Sequence, residues 1–508
     1  MKKHIILSTL SLFALWTHGS FASSEDAQVV AKIDMKNFQR TLALKTDEGE
    51  TLQPVPALKA DSNAVLVGQA MMDPKILSAE IRYNMKVSPE VTAVEMAGRW
   101  EFNQDTLQAI VTYFPHLTSL EYGRFVKVSC LSPLANIAKL QKLVLLGKHD
   151  APLEDLGKIL SLTDLKLSEM DLVEVPPSIA NLTSLTSLEL SDVGLRTVPA
   201  FLGGLRLKRL VLSKNNTLNF YGAPTLPTVD ILEVRNMNLR SFSFIEKFVP
   251  NVQILDISSN ADSGVGYAGL PIDARDFANL RSLTSVDTSH NKHDGSQLQI
   301  LAQALPNLIE LKLCGNVGAK TDFDPDVLMD FRQLRKLDVS FCDITDISFI
   351  NCMKLEVLNL ACNGTSEKKL SLRKVPRKGL ISLNAAVLGI ESLRDLSLHN
   401  FPKLQHLDIS GNVGEDGRII ELDDYYFKNV ADTLTSLEMR FDSIPVKKLE
   451  TLSVLVNLKS LTLTQATIDR NGWPRALNNL PIEKLILIGK GGDRKILTGE
   501  ELQKFLKG

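Results

Sequence analysis

Short segments of the form L-x-x-L-x-L, in which aliphatic residues alternate with polar ones, recur along most of the chain. Most of their starts are separated by 21 to 26 residues. The segments start at Val91, Leu117, Leu140, Leu162, Leu185, Leu207, Val229, Val252, Leu283, Leu308, Leu334, Leu355, Leu404, Leu434, Leu458 and Ile482. Alternation with a period of two predicts a strand with one apolar face. Because only stacked coils bury such a face, the period predicts a solenoid with a parallel sheet.

One stretch, LRDLSLHNFPKLQHLDISGN, carries the pattern twice, with starts at Leu393 and Leu404 that are only eleven residues apart. A start at Leu380 divides the 49 residues from Leu355 to Leu404 into 25 and 24, whereas a start at Leu393 leaves eleven for one coil. No coil of a solenoid closes in eleven residues. The spacing therefore predicts a strand at Leu380, places LRDLSL on the convex side, and gives 17 coils.

A second signal stands eight residues after many of the starts, where the chain turns inward and backbone groups lose contact with water. An amide side chain can satisfy such groups because it both donates and accepts hydrogen bonds. The position is occupied by Asn215, Asn260, Asn291, Asn316, Cys342, Asn363 and Asn412. These residues form a predicted structural ladder.

The combined motif L-x-x-L-x-L-x-x-N/C closely resembles the leucine-rich repeat, over residues 91 to 490. The resemblance implies an α/β leucine-rich-repeat solenoid, a curved horseshoe with a parallel sheet on its concave face. Its convex face is expected to mix helical, 3-10 and extended segments. It also implies that the concave face binds another macromolecule, most plausibly a protein.

The chain ends have different patterns. In residues 1–22, the basic residues Lys2 and Lys3 are followed by an apolar run and then by Ser20-Phe21-Ala22. This order predicts a signal peptide that is cleaved after Ala22. The alternative is a buried N-terminal helix. Residues 23–90 are expected to form an N-terminal cap, 91–490 the solenoid, and 491–508 a C-terminal capping helix opened by the capping box Thr498–Glu501.

Composition narrows the function classes. The net charge is -2 and the hydrophobic content is 44%, so nothing favours nucleic acid, and no apolar stretch after the leader is long enough for a membrane span. The cysteines are Cys130, Cys314, Cys342, Cys352 and Cys362. Export permits disulfides, but free, buried thiols fit this scattered arrangement better. No spacing indicates a metal or any other cofactor.

Candidate chemistry is sparse. His290 and His293 lie three residues apart but have no third ligand, and Asp322, Asp324 and Asp326 only imitate the start of a calcium loop. No catalytic residue is predicted. We therefore expect a chain that is not an enzyme. The alternatives are a hydrolase or ligase with an unrecognised site, and a purely structural envelope protein.

Acidic residues recur between the second and third leucines of the motif, at nine of 17 coils, although the chain is nearly neutral. They predict a concave stripe that binds a protein partner with a basic surface. The candidate binding residues are Glu189, Glu233, Asp256, Asp287, Asp338, Asp408 and Glu438, with the aromatic residues Phe341 and Phe441 expected to point outward at strand exits. The alternative is that the carboxylates are common at this place in such repeats and are neutralised by flanking cations such as Arg209, Lys336 and Lys484.

Together these patterns predict an exported, monomeric protein-binding module, periplasmic or secreted, with a bacterial type of leader. An adaptor that acts at the cell envelope or towards a host is the favoured interpretation.

Overall fold

A computed structural model describes strands at 30–32 and 65–68, residues 92–96 and 100–102, and most of 104–507. Within this last range it leaves out 125, 173, 262–271, 294, 317–324, 345–346, 348–349, 351–352, 364–369, 371, 373–378, 413–419 and 442–443. The described chain divides into two compact units. We call Ser23–Asn260 the N-terminal unit, and the C-terminal unit is described within Ala261–Gly508.

The N-terminal unit is a stack of parallel strands. They are β1 (Val30–Lys32), β2 (Val65–Gly68), β3 (Ala93–Met96), β4 (Trp100–Phe102), β5 (Ser119–Tyr122), β6 (Val126–Val128), β7 (Lys142–Leu146), β8 (Asp164–Ser168), β9 (Ser187–Ser191), β10 (Arg209–Val211), β11 (Ile231–Glu233) and β12 (Ile254–Asp256). β4 and β6 form a separate parallel pair. In the main sheet the central leucines are aligned from strand to strand, as in Leu188, Leu210 and Leu232. The predicted parallel sheet is thus confirmed in this unit.

The C-terminal unit repeats this arrangement. Its strands are β13 (Ser285–Asp287), β14 (Glu310–Lys312), β15 (Lys336–Asp338), β16 (Val357–Asn359), β17 (Ser382–Asn384), β18 (His406–Asp408), β19 (Ser436–Met439), β20 (Ser460–Thr464), β21 (Lys484–Ile488) and β22 (Arg494–Thr498). β13 to β21 pair in parallel in chain order, whereas β22 runs antiparallel to β21.

The strand predicted at Leu380 is confirmed. β17 pairs with β16 through Leu358 and Leu383, and with β18 through Leu383 and Leu407. LRDL forms a short helix in the segment between β17 and β18, Leu398 begins a 3-10 helix, and Leu393, Leu396 and Leu398 are all fully buried. The number of residues needed to complete a coil therefore selected the correct strand. A strand only eleven residues before β18 would leave too few residues to connect the two strands.

The segments that connect the strands are mixed, as predicted. The α-helices that the structure describes are α1 (Gln104–Tyr113), α2 (Ile245–Phe248), α3 (Gly295–Ala304), α4 (Leu393–Leu396), α5 (Asp424–Phe427), α6 (Val446–Glu450), α7 (Gln465–Asn471) and α8 (Gly499–Lys507). The 3-10 helices include Leu153–Lys158, Pro177–Asn181, Ala200–Gly204, Pro325–Asp330 and Arg475–Asn479. In the Val-Pro segments, Pro176 and Pro199 are the N-cap residues of 3-10 helices, a place where the missing N–H of proline removes no helical hydrogen bond.

Five of the described strands were not predicted from the repeat pattern: β4 and β6 lie within residues 91–490, and β1, β2 and β22 lie outside them. β1 and β2 fall within 23–90, where the sequence carries no complete L-x-x-L-x-L pattern, yet they extend the same parallel sheet into β3. β22 precedes the C-terminal helix α8 in the region where only a helix was predicted. The predicted signal peptide, Cys352, Asp322 and Asp324 lie outside the described residues.

Candidate functional site

The Asn residues of the predicted ladder are almost completely buried and bond to the backbone of adjacent coils. The amide of Asn316 donates to the carbonyls of Thr288 (3.0 Å) and Leu313 (2.8 Å) and accepts from the N–H groups of Asn291 (2.9 Å) and His293 (3.2 Å). Asn215, Asn260, Asn363 and Asn412 make the same four kinds of bond. In each of these five coils, one side chain therefore satisfies the turn after the strand.

Two ladder positions differ from the rest. The amide of Asn291 donates to the hydroxyl of Thr288 (2.9 Å), and its oxygen accepts from the N–H of Ala261 (3.2 Å). Cys342 has only a thiol, which lies 3.1 Å from the Leu313 carbonyl oxygen and 3.4 Å from that of Ser340. A thiol donates one weak bond where an amide donates two, so the ladder is weakest at Cys342.

The acidic residues of the N-terminal unit lie on the sheet face opposite the leucines, which we call the open face, and they are paired there with cations. The Glu189 carboxylate lies 3.1 Å from Lys166 Nζ, and Arg209 Nη2 lies 2.7 Å from Glu233. Arg235 links Glu233 (2.8 Å) to Asp256 (3.3 Å). The exposed fractions of these three acidic side chains are only 16–17%. This row is an internal ion-pair network more than a free acidic stripe.

In the C-terminal unit the acidic residues are covered to different degrees. Asp338 accepts hydrogen bonds from Ser340 and Asn359, and burial raises the pKa of its carboxyl. Asp408 is buried beside Arg440, and Asp287 lies 3.9 Å from Lys312. The side chain of Glu438 is 39% exposed. Burial, followed by the nearby charge of Asp408, raises the pKa of Glu438.

The two aromatic candidates have different environments. Phe441 is only 3% exposed, so the expectation that it points outward is wrong: the chain after β19 turns this ring into the core. Phe341 is 36% exposed, as a surface contact residue would be. In α5, Phe427 is fully buried whereas Tyr425 is 67% exposed. Packing therefore explains Phe441 and Phe427, and it leaves Phe341 and Tyr425 at the surface.

A row of left-handed residues follows the strands, one residue before the ladder position. We call it the exit row. Its members with positive φ are Gly147, Glu169, Asp192, Lys214, Asn236, Ser259, His290, Gly315, Phe341, Cys362, Val387 and Gly411. The glycines are required by their neighbours, since a Cβ on Gly315 would lie 2.3 Å from the His290 ring and one on Gly411 would lie 2.8 Å from Val387. The sequence pattern did not reveal this row, because its residue types vary.

Comparison with known proteins gives limited matches. No family model matches the chain. A protein named protein phosphatase 1 regulatory inhibitor subunit PPP1R7 homolog, from Arabidopsis thaliana, is 30% identical over 190 residues. These residues are 36% of this chain and 52% of the relative, so the chain spans about half the length of the curated relative. The crystal structure of the mouse RP105/MD-1 complex is similar over 80% of this chain and 64% of that chain, at 16% identity and a TM-score of 0.43.

The repeat itself decides the fold. The strands predicted from the L-x-x-L-x-L starts are all present, from β3 to β21, and a buried amide or thiol follows many of them with the bonds described above. The chain has the leucine-rich-repeat fold.

In this leucine-rich-repeat protein the two candidate histidines do not form a common site. His293 is fully buried, with Nε2 2.6 Å from the Thr288 hydroxyl and Nδ1 3.2 Å from the Gln297 side-chain oxygen. His290 lies on the exit row, 3.9 Å from the Cys314 thiol. In the described part of the chain, no three His, Cys, Asp or Glu side chains converge as metal ligands. Among the helices that the structure describes, none is both long and apolar enough to cross a bilayer.

A shallow groove of about 490 Å³ lies at the opposite strand ends, before β17 to β20. Polar side chains line it, including Lys403, Gln405, Asn457 and Lys459. Asn457 donates to the carbonyl of Asp432 (2.9 Å), and Lys459 pairs with Glu483 (2.9 Å). These groups hold adjacent coils together, so the groove is explained by the repeat geometry.

Proposed function

We propose that this leucine-rich repeat protein is an exported protein-binding module, and that the exit row of the C-terminal unit is its main contact surface. The open face beside this row supplies the surrounding polar contacts. The observation that carries the proposal is the presence of two bulky, exposed residues in a strained backbone conformation, Phe341 and Val387.

Phe341 has φ 54° and Val387 has φ 53°, both in the left-handed region. That region is unfavourable for bulky and β-branched side chains, at a cost of about 1–2 kcal/mol per residue. A buried side chain could offset this cost by packing, but these two side chains are 36% and 44% exposed. We infer that strained residues which keep this much exposed surface contact another molecule.

The same row in the N-terminal unit contrasts with this arrangement. Its left-handed positions carry Gly147, Glu169, Asp192, Lys214, Asn236 and Ser259. Glycine adopts left-handed backbone without strain, Asn and Asp tolerate it better than other residues with a side chain, and the five side chains in this row are all polar. In the C-terminal unit, Phe341, Cys362 and Val387 occupy three successive coils. They form an apolar strip, and exposed apolar strips of this kind favour protein contacts.

The charge preference of the partner follows from the open face. The carboxylates of Glu189, Glu233 and Asp256 are already paired, so a basic partner would have to displace Lys166, Arg209 or Arg235. Glu438 is the more accessible acid. We therefore propose that a basic partner surface contributes specificity near Glu438, and that apolar contact with Phe341 and Val387 contributes most of the affinity.

The experiment changes Phe341 and Val387 to asparagine, a residue that tolerates left-handed backbone. We expect the thermal unfolding temperature to stay equal or rise, while affinity capture of partner proteins by residues 23–508 falls to background. Lys214→Asn is the matched control, because Lys214 is exposed and has φ 62° on the same row of the N-terminal unit. Capture that is undiminished in the double variant, or lost equally in the control, would contradict the proposal.

Export is the second part of the proposal, and the support for it is the N-terminal pattern of Lys2, Lys3, an apolar run and Ala22. Expression of the whole chain in a bacterial host should give a processed protein that begins at Ser23 and is recovered from the periplasm or medium. A protein that keeps Met1 and remains inside the cells would refute this part alone. We propose a monomeric product, which sedimentation of the processed protein tests directly.

The name of the Arabidopsis relative mentions protein phosphatase 1, and we do not transfer that association to this chain. Any two chains with the same leucine spacing share identity at the repeated core positions, and 30% over 190 residues is compatible with that origin. We therefore propose a protein as the partner class and no enzymatic activity for the chain. Turnover that disappears when His290 and His293 are both changed to alanine would instead favour the hydrolase or ligase alternative.

A further inference from the structure

We propose that the outer edge of β22 is a second docking site, which accepts an extended protein segment of alternating apolar and acidic side chains as an added strand. This inference rests on the proposed protein-binding function and names a partner chemistry different from that of the exit row.

β22 is the last strand of the C-terminal sheet. It pairs with β21 in antiparallel register, from Lys484 opposite Thr498 to Ile488 opposite Arg494. Among the residues that the structure describes, β22 pairs with no strand other than β21. Of its five residues only Leu497 is buried. An edge strand with a free side offers a row of backbone donors and acceptors, which is what strand addition requires.

The C-terminal helix packs toward the core side of this hairpin. α8 follows β22 directly through Gly499, which has φ 52°. Its Leu502 is 1% exposed, and the Phe505 ring meets Trp473 edge-on at 5.7 Å. The apolar side chains of α8 are thus packed against the chain, whereas four residues of β22 remain exposed.

The side chains beside the edge define the chemistry of the occupant. Ile496 is 49% exposed, and its partner across the hairpin is Ile486. Arg494 and Lys495 are exposed, and Lys484 is exposed on β21. In the described part of the chain, none of these three cations lies within ion-pair distance of a carboxylate. Because side chains alternate between the faces of a strand, Ile496 and Lys495 lie on opposite faces of β22. An added strand would therefore gain from apolar side chains on the face of Ile496 and from carboxylates on the face of Lys495.

The nearby charges agree with this placement. Lys484 and Arg494 both act to lower the pKa of Glu438, which shows that their positive field extends over the end of the open face. A second copy of this chain is disfavoured at the edge, because pairing of two β22 strands would bring Arg494 and Lys495 close to the same cations of the other copy. Lysine and arginine on an edge strand oppose such self-association.

The test uses fluorescence anisotropy of the whole processed chain with a labelled peptide of alternating valine and glutamate. Three matched probes accompany it: valine with lysine, serine with glutamate, and the valine–glutamate peptide N-methylated on alternate residues. We expect only the unmodified valine–glutamate peptide to bind, because it alone has acidic charge, apolar side chains and free backbone N–H groups. Equal binding of the N-methylated peptide would overturn strand addition.

Variants locate the site. Arg494→Glu combined with Lys495→Glu should weaken the valine–glutamate peptide by about tenfold or more and create binding of the valine–lysine peptide. Ile496→Ser should weaken binding as well. The matched controls are Lys403→Glu, an exposed cation in the same unit, and Val456→Ser, whose side chain is 54% exposed. Unfolding temperatures of all variants check that the fold is retained.

Two further results separate this inference from the proposed function. The inference would be overturned if the β22 variants still bind the peptide while the Phe341 and Val387 double variant does not. Dimerisation of the wild-type chain that the β22 variants abolish would also overturn it, since a second copy would then occupy the edge. Loss of peptide binding only in the β22 variants, with partner capture through the exit row unchanged, would support both proposals as separate sites.

Discussion

The guanidinium of Arg440 lies 3.2 Å from the carboxylate of Asp408, which belongs to the preceding coil and is only 8% exposed. Asp408 also accepts a hydrogen bond from the backbone N–H of Ser410 at 2.8 Å. Because a buried carboxylate without its cation is costly, we expect Arg440→Ala to lower the free energy of unfolding by about 2–3 kcal/mol. Urea denaturation followed by circular dichroism measures this change.

The control for this pair is the double variant Asp408→Asn and Arg440→Ala, which removes the charge that would be left unpaired. It should recover a large share of the stability that Arg440→Ala loses. Equal stability of the single and double variants would show that Asp408 does not depend on Arg440.

Glu438 gives a pH-dependent prediction. Its folded-state pKa is raised above the ordinary glutamate value, mainly by burial. The folded chain therefore holds this proton more tightly than the unfolded chain, and stability falls as pH rises from the ordinary pKa through the raised one. Glu438→Gln should unfold at a higher temperature than the wild type at neutral pH, and the difference should vanish below a pH of about 4.

The exposed residue Glu450 serves as the comparison for Glu438. Glu450→Gln should leave the pH dependence of the unfolding temperature unchanged. A Glu438→Gln variant that is less stable than the wild type at neutral pH would mean that its contact with Arg440, at 3.7 Å, outweighs the burial of the carboxylate.

Cys342 offers a stabilising substitution. It stands at the ladder position that is asparagine in the adjacent coils, at Asn316 and Asn363, where the amide donates to two carbonyls. Cys342→Asn should add one donor to the buried turn and raise the free energy of unfolding by about 1 kcal/mol. The reverse change, Asn363→Cys, should lower it. A decrease in both variants would indicate that the pocket at 342 fits only the thiol.

Val387 and Gly411 are coupled across neighbouring coils. A Cβ on Gly411 would lie 2.8 Å from Val387 Cγ2, and Gly411 itself has φ 66°. Gly411→Ala should therefore lower the free energy of unfolding by about 2 kcal/mol, shared between overlap and left-handed strain. Adding Val387→Gly to the Gly411→Ala variant should recover the part of the lost unfolding free energy that comes from the steric overlap. Strictly additive effects in this double-mutant cycle would disprove the contact.

Three thiols are expected to be unreactive in the folded protein. Burial raises the pKa of Cys314 and of Cys342 to about 12, and that of Cys362 to about 11. Because the thiolate is the reactive form, iodoacetamide at neutral pH should leave all three unmodified, as peptide mass spectrometry would show. Unfolding in denaturant should make them react together. Rapid labelling of Cys362 in the native protein would show that partial burial does not hold its thiol in the unreactive, protonated form.

The core and the strand register could be predicted from the sequence because they depend on local repetition. A period of two places Leu383 toward the core whatever lies nearby, and the number of residues needed to close a coil selects Leu380 over Leu393. The ladder positions follow in the same way, since the turn after each strand always leaves the same backbone groups to satisfy. β1, β2 and β22 were missed because their segments lack the full motif.

The surface was decided by the tertiary structure. Arg209 neutralises Glu189 and Glu233 only because parallel stacking brings side chains of adjacent coils within reach. Phe441 turns inward because the chain bends after β19, and Val387 is strained because of its place on the exit row. The sequence alone thus determined a leucine-rich-repeat solenoid and its buried positions, which follow from repeated local pattern. Only the three-dimensional register determined which charges are paired, which aromatic rings are exposed and which strand edge is open, because these depend on residues far apart in the chain.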